Sequence, residues 1–331
     1  MLNAYIAGTG FYVPPHIVTN HDLSKHMDTN DEWIRERTGI QERRFVEKGM
    51  GPSDLAIPAT EQALESAELS VGDIDFMIFA TISPDYYIPG SGCLLQDKMG
   101  FNEIGALDIR VQCSGFVYGL SIAQQYIKTG VFKNILLIGA EAQTTAMELN
   151  DNGRDVSVIF GDGAGAVIVS GTEEKKGILS THMHSEGKYL KELWMEAPAS
   201  NAGMPRILPK DLEEGKQYLK MNGREVFRHA IVRFVEVIHE CLEENNLKVK
   251  DIDLLIPHQA NLRITQMVQK KLGLNDEQVY SNIHKYGNTT AASIPIALAE
   301  AVNEGKISKG DKVVFASFGS GFAWASAIME W

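Results

Sequence analysis

With 331 residues, 44% hydrophobic and 22% charged, the chain has the composition of a folded globular protein and can bury a large core. A formal net charge of −12 argues against nucleic-acid binding, and any acidic partner must find a local basic patch. Its three cysteines, Cys93, Cys113 and Cys241, form no paired framework and no CxxC, so neither a disulfide scaffold nor a metal site is expected.

Met1 to Pro15 lacks a basic region and a long apolar core, and reads as a first strand and turn, not a signal peptide. No apolar run reaches the roughly 18 residues of a membrane span, so no membrane association is expected and the expected compartment is the cytoplasm. A polar helical stretch at His21 to Met27 precedes Asp28 to Gly39, where Trp33 and Arg37 are four apart and share a face on a helix. A stacked aromatic and a guanidinium suit a nucleotide, although an amphipathic helix edge would look the same. Helical spacing returns at residues 53 to 68 (Leu55, Ala59, Ala63, Ala67), followed by a strand, Asp75 to Thr81, and a loop, Pro84 to Gly90. A helix from about Ser91 to Lys98 leads to the stretch around which the chain is organised, Asp108 to Leu120.

There an extended run, Ala106 to Val111, gives way to apolar residues at helical spacing (Phe116, Leu120, Ala123, Ile127), placing Cys113 at the start of a helix. Unpaired N–H groups and the positive end of the dipole at that point favour a thiolate. By itself, such a cysteine would more often be a buried packing residue. The helix ends near Gly130. Asn134 to Ala140 then contains a wholly apolar run of the kind buried on both faces of a parallel sheet. The glycines of Phe160-Gly-Asp-Gly-Ala-Gly165 match neither GxGxxG nor a P-loop, and close strand packing accounts for them better.

The second half repeats the first. Ala63 to Phe79 and Cys241 to Pro257 align over 17 residues without a gap, with eight identities, at an offset of 241 − 63 = 178 residues. Gly115 to Glu141 and Ala291 to Gly319 then share one rhythm of helix, Gly-containing turn and apolar strand. A duplicated α/β unit is expected, divided at about 1–175 and 176–331, with its site at the seam. Between the halves, residues 181–220 (with Trp194, Pro198, Pro205 and Pro209) are irregular enough to predict a flap over that site.

In the second half, the strand Leu254 to Pro257 ends at His258, and Asn288 precedes another helix start. Strand ends are where sites form in open α/β sheets. A cysteine with His and Asn makes a nucleophile and two donors for a carbonyl oxygen, and the turn Phe318-Gly-Ser-Gly-Phe322 supplies bare N–H groups for an oxyanion.

These residues, with Gly8-Thr-Gly10, Asp31-Glu-Trp-Ile34, Arg37-Thr-Gly-Ile40, Cys113-Ser-Gly-Phe116, Pro257-His-Gln-Ala-Asn-Leu-Arg263, Gly287-Asn-Thr289 and the Phe160 to Gly165 motif in order, resemble β-ketoacyl-acyl-carrier-protein synthase III, the initiating condensing enzyme of bacterial fatty-acid synthesis, in the thiolase-like group. The resemblance implies a five-layer αβαβα fold and a homodimer. It puts Cys113, His258 and Asn288 in the catalytic triad, and the backbone N–H groups of Cys113 and Ser320 in the oxyanion hole. Trp33, Arg37 and Arg154 take coenzyme A-binding places, and Ile88 stands where a large aromatic often reaches the partner's acyl pocket. Acyl-coenzyme A and malonyl-acyl-carrier protein are the implied substrates, with no metal or redox cofactor. Arg263, Lys270 and Lys271, on one face of a predicted helix beside His258, are the candidate carrier-protein contacts.

Thiolases carry a second cysteine near the C-terminus, which is missing after Cys241. Elongating synthases have a second histidine where Asn288 stands, and plant-type polyketide synthases are usually longer. An acyltransferase of the same type, passing the acyl group on without decarboxylation, remains the alternative. Gln112, Ser320, Arg224 and Ile88 depart from the family pattern, as does the length of 181–220, and these departures leave the acyl-chain length open.

Overall fold

Runs that are apolar at every position must be covered on both faces, and this requirement shapes the molecule. A computed structural model describes residues 2–331. The first sheet contains β1 (Asn3–Tyr12), β2 (Phe76–Ala80), β3 (Gly105–Ile109), β4 (Asn134–Glu141) and β5 (Gly163–Thr172), in the order β1-β5-β4-β2-β3. The second contains β6 (Gly177–Ser185), β7 (Leu254–Pro257), β8 (Lys312–Gly319) and β9 (Ala323–Glu330), in the order β7-β8-β9-β6. The first sheet has two parallel pairings (β3/β2, β2/β4) and the second has one (β7/β8), and each sheet continues into two antiparallel pairings.

Helices α1 (Asp31–Thr38), α2 (Pro52–Ser66), α3 (Ser91–Met99), α4 (Gly115–Lys128), α5 (Gly223–Glu244), α6 (Leu262–Leu272) and α7 (Ser293–Asn303) complete the frame. Strand periodicity decides what each sheet face touches. Ile135 and Leu137 of β4, with Val313 and Phe315 of β8, face a middle layer made by α4 and α7. Leu136 and Ile138 face α2 and α3 on one outside, while Val314 and Ala316 face α5 and α6 on the other. The result is five layers, αβαβα. Helix α7 reads SIPIALAEAVN and is buried along most of its length, as a helix between two sheets must be.

The duplication is visible element by element. The 3-10 turns Val71–Asp73 and Val249–Asp251 lie 178 residues apart, as do the starts of β2 and β7, of α4 and α7, and of β4 and β8. Even the strand entries match: the Asp75 carboxylate accepts from Asn134 N–H at 3.0 Å, and Asp253 accepts from Lys312 N–H at 2.7 Å.

Some boundaries differ from expectation. Only Asn20–Leu23 of the His21 to Met27 stretch is helical, started by a Thr19–Asp22 capping box. The predicted flap begins later, because residues 181–185 alternate and pair with β9 inside β6. Beyond Ser185 the segment consists of short turns, a five-residue helix, Pro209–Glu213, and a two-stranded ribbon, Leu193–Trp194 with Lys220–Met221.

Glycines set the layer spacing where no side chain fits. A Cβ on Gly165 would stand 2.6 Å from Ile296 N and 2.7 Å from Pro295 C, both backbone. Gly165→Ala is therefore expected to cost about 3 kcal/mol, read as a lowered midpoint in thermal unfolding. Gly72→Ala, whose Cβ would meet nothing nearer than 3.7 Å, should stay within about 0.5 kcal/mol of wild type. Equal midpoints for the two variants would contradict this account of the packing.

Candidate active site

Strand β3 stops at Ile109, and the chain turns through a 3-10 turn, Gln112–Ser114, before α4 begins at Gly115. The helix thus starts two residues later than expected, with Cys113 in the turn ahead of it. Gln112 has φ 46°, a left-handed conformation that costs a non-glycine residue roughly 1–2 kcal/mol. Ser114 Oγ donates to Ala323 O at 3.2 Å, and Ser317 Oγ to Ser114 Oγ at 3.0 Å, so second-half strands hold the turn. Gly319 presses directly on Cys113: a Cβ there would lie 2.8 Å from Cys113 Cβ and 3.0 Å from Sγ.

The expectation of a favoured thiolate needs correction. Burial, then the nearby Glu141 carboxylate, push the Cys113 thiol up to about 12, against a smaller lowering by a backbone hydrogen bond. Glu141 is itself wholly buried at the end of β4. Its carboxylate accepts from Ser83 Oγ at 2.6 Å and Thr81 Oγ1 at 3.1 Å, and burial raises its pKa. In the resting site the sulfur is a thiol.

His258 leaves the end of β7, its N–H donating to Ala316 O at 2.8 Å. The ring is 2% exposed, and burial pushes it down to about 3, so it is neutral. Nδ1 lies 2.6 Å from Ser293 Oγ, whereas Nε2 is buried without any hydrogen-bond partner. Asn288 is held by the first half: its N–H donates to Ile159 O at 2.9 Å, and Gly161 N–H donates to its carbonyl at 3.1 Å. Gly161 must be glycine for this, since a Cβ would stand 2.3 Å from Tyr286 O. The close-packing reading of the Phe160 to Gly165 motif is correct. Thr290 N–H donates to Asn288 Oδ1 at 2.8 Å, leaving the amide NH2 to point elsewhere.

Cys113, His258 and Asn288 line one cavity of about 510 Å³, which opens past Trp33, Arg37 and Arg263. The guanidiniums of Arg37 and Arg154 lie 4.7 and 5.0 Å from the centroid of the Trp33 ring. Arg154 also donates to Asp28 O at 3.2 Å, so it braces the aromatic without lining the cavity. Arg263 lies over the Phe227 ring at 5.7 Å. Lys270 and Lys271 are exposed in the last turn of α6 and do not line the cavity. Ile88 is 78% exposed and does not line the cavity of its own chain. The Ser320 hydroxyl donates to Leu193 O, which ties the irregular segment to the glycine turn.

Sequence reading missed several wall residues. Phe227, Ala230 and Phe234 enter from α5, and Leu193 and Met221 from the irregular segment. The helical spacing of Val226, Phe227, Ala230 and Phe234 was the available signal. Arg224, noted only as a departure, also lines the wall. Among the described residues, no group of three His, Cys, Asp or Glu side chains could hold a metal ion, and no helix is long and apolar enough to cross a membrane.

Comparison with known proteins places this geometry. Residues 107–187 match the family model 3-oxoacyl-[acyl-carrier-protein] synthase III, and residues 242–331 match its C-terminal model. The chain is 46% identical over 328 residues to beta-ketoacyl-[acyl-carrier-protein] synthase III of Clostridioides difficile, covering 99% of this chain and 98% of the relative. It is 45% identical, with the same coverage, to the protein of that name from Caldanaerobacter subterraneus. The crystal structure of 3-oxoacyl-[acyl-carrier-protein] synthase III from Aquifex aeolicus superimposes with a TM-score of 0.90 at 42% identity, covering 99% of this chain and 100% of that one. The chain belongs to the β-ketoacyl-acyl-carrier-protein synthase III family of condensing enzymes.

Proposed function

We propose that the enzyme is an acyltransferase that loads an acyl group from acyl-coenzyme A onto Cys113 and condenses it with malonyl-acyl-carrier protein, releasing carbon dioxide. One observation carries the reading: a buried thiol, an unpartnered His258 Nε2 and a free Asn288 amide end the same cavity, whose mouth holds Trp33 and Arg37.

In the first half-reaction Cys113 Sγ attacks the thioester carbonyl. The sulfur–carbon bond to coenzyme A breaks, and the thiol proton leaves on the coenzyme A sulfur, so no charge stays behind. The N–H groups of Cys113 and Ser320 are assigned to the oxyanion. In the second half-reaction the malonyl thioester carbonyl takes hydrogen bonds from His258 and Asn288. Loss of carbon dioxide moves an electron pair onto that oxygen, where donors held in a water-poor site act strongly. The enolate carbon then attacks the acyl-Cys113 carbonyl, the carbon–sulfur bond breaks, and the departing Cys113 thiolate takes a proton from water. We assign no metal or redox cofactor to this cycle, and the cytoplasm as its place.

Trp33, Arg37 and Arg154 are assigned to the coenzyme A nucleotide, supported by their mutual stacking. The carrier protein is assigned to Arg263, Lys270 and Lys271, cations on a chain of net charge −12. A homodimer would bring Ile88 of one copy to the acyl pocket of the other. In support, Tyr86, Tyr87 and Ile88 are exposed by 62, 57 and 78%.

Incubation with acyl-coenzyme A should add the mass of one acyl group to the wild type and none to Cys113→Ala. Wild type should also release carbon dioxide from malonyl-carrier protein. A label that persists in the variant, or maps to Cys93, would refute the assignment, and acylation without carbon dioxide release would favour simple acyl transfer.

Arg263→Glu should raise KM for malonyl-carrier protein by about tenfold, while acylation by acyl-coenzyme A changes little. Equal damage to both half-reactions would remove Arg263 from the carrier-protein surface.

The pH dependence has a definite sign. The folded thiol titrates near 12 against an ordinary value of 9.0. Between those values the unfolded chain gives up a proton that the native chain keeps, so Cys113 subtracts stability as pH rises through that window. Alkylation of Cys113 in the free enzyme should accordingly keep accelerating beyond the ordinary thiol value of 9.0. A rate that levels off there would show an unshifted thiol.

A further inference from the structure

His258 has a neighbour with no freedom at all. Gln259 is 1% exposed; its Nε2 donates to Pro257 O at 2.7 Å and Tyr280 O at 3.4 Å, and its Oε1 accepts from Ser281 Oγ at 2.8 Å and Asn282 N–H at 3.2 Å. With its side chain so anchored, its backbone N–H is fixed on Ser293 Oγ at 3.3 Å. Ser293 is 2% exposed, and its hydroxyl has no acceptor within reach among the described residues except His258 Nδ1, 2.6 Å away. Gln259 thus occupies a lone pair of the hydroxyl, and the hydroxyl proton is directed at Nδ1. A ring nitrogen that accepts a hydrogen bond carries no proton, so the hydrogen of the neutral imidazole sits on Nε2. That is the atom left buried without a partner and facing the cavity of Cys113 and Asn288.

We infer that Ser293 is a positioning residue: it holds His258 as the Nε2–H tautomer, so that the ring donates to the malonyl thioester carbonyl. Burial reinforces this by keeping the ring neutral, and so does the site at the first residue of α7, where the positive end of the helix disfavours imidazolium. The two donors are then set in parallel ways. Backbone N–H of Thr290 orients the Asn288 amide directly, and backbone N–H of Gln259 orients His258 through one hydroxyl. The consequence for catalysis rests on the condensing reading above; the tautomer does not.

The experiment is nitrogen NMR of the full-length protein labelled with 15N-histidine, with the His258 signals identified by their loss in His258→Gln. In wild type, Nδ1 should show the shift of a bare ring nitrogen and Nε2 that of a protonated one. Ser293→Ala should move His258 toward the other tautomer and lower malonyl decarboxylation by about a hundredfold, with acylation of Cys113 within about threefold of wild type. Ser293→Thr, which keeps the hydroxyl, should restore both. A wild-type His258 protonated on Nδ1 overturns the inference whether or not the variants fold. So does Ser293→Ala with the wild-type tautomer and rate. A Ser293-dependent Nε2–H tautomer in an enzyme that releases no carbon dioxide would uphold the positioning role and sink the condensing reaction instead.

Discussion

The two halves meet through backbone, at points where a single methyl group would not fit. A Cβ on Gly139 would stand 2.3 Å from Ala291 O, one on Gly161 2.3 Å from Tyr286 O, and one on Gly165 2.6 Å from Ile296 N. Three first-half glycines thus receive one second-half segment, from Tyr286 to Ile296, which carries Asn288, Thr290 and Ser293. The segment has no slack, because its own bonds to Ile159 and Gly161 span the seam. The turn of Cys113 and the backbone of Asn288 are therefore each held by elements of the opposite half, while His258 is held within its own. Catalysis of this kind loses rate steeply for displacements of an ångström, so the geometry depends on this packing before it depends on any catalytic side chain.

The same close packing dries the site. The Cys113 thiol is raised by burial and His258 is lowered by it, so burial disfavours charge on both. Glu141 is the nearby acid, and its hydrogen bonds come from Thr81, Ile82 and Ser83 instead of from a cation. In the proposed cycle, negative charge develops on a thioester oxygen assigned to the His258 and Asn288 donors. Preorganised dipoles in low dielectric are most effective there, since nothing must turn to meet the charge.

Much of this could be read from residue order because duplication preserves spacing. The match of Ala63 to Phe79 with Cys241 to Pro257 yielded the 178-residue offset that the turns, strands and middle helices obey. Cys113, His258 and Asn288 were legible as residues at element ends. The left-handed turns were not: Gln112 at φ 46° and Thr290 at φ 44° are neither glycine nor asparagine, and only tertiary packing holds them there. The turn at Gln112 is why α4 starts two residues later than the spacing predicts, and burial with Glu141 is why the thiolate is disfavoured. Ser293 and Gln259 were invisible for another reason. Their roles lie in which hydrogen bonds remain after others are taken, and sequence pattern carries no such count.

The offset also shows why a duplicated fold has one site. Position 113 corresponds to Ala291, position 258 to Ala80, and the strained turn is kept in both halves at 112 and 290. Both alanines pack on the start of α4: a Cβ on Gly115 would lie 3.0 Å from Ala80 Cβ and 3.4 Å from Ala291 Cβ. A histidine at 80 would be driven into α4, and a cysteine at 291 would crowd the turn that carries Cys113. The seam has room for one set of reactive side chains. Alanines at the twin positions, one in each half, let the backbones close around that set, so each half keeps part of it and makes room for the part the other keeps.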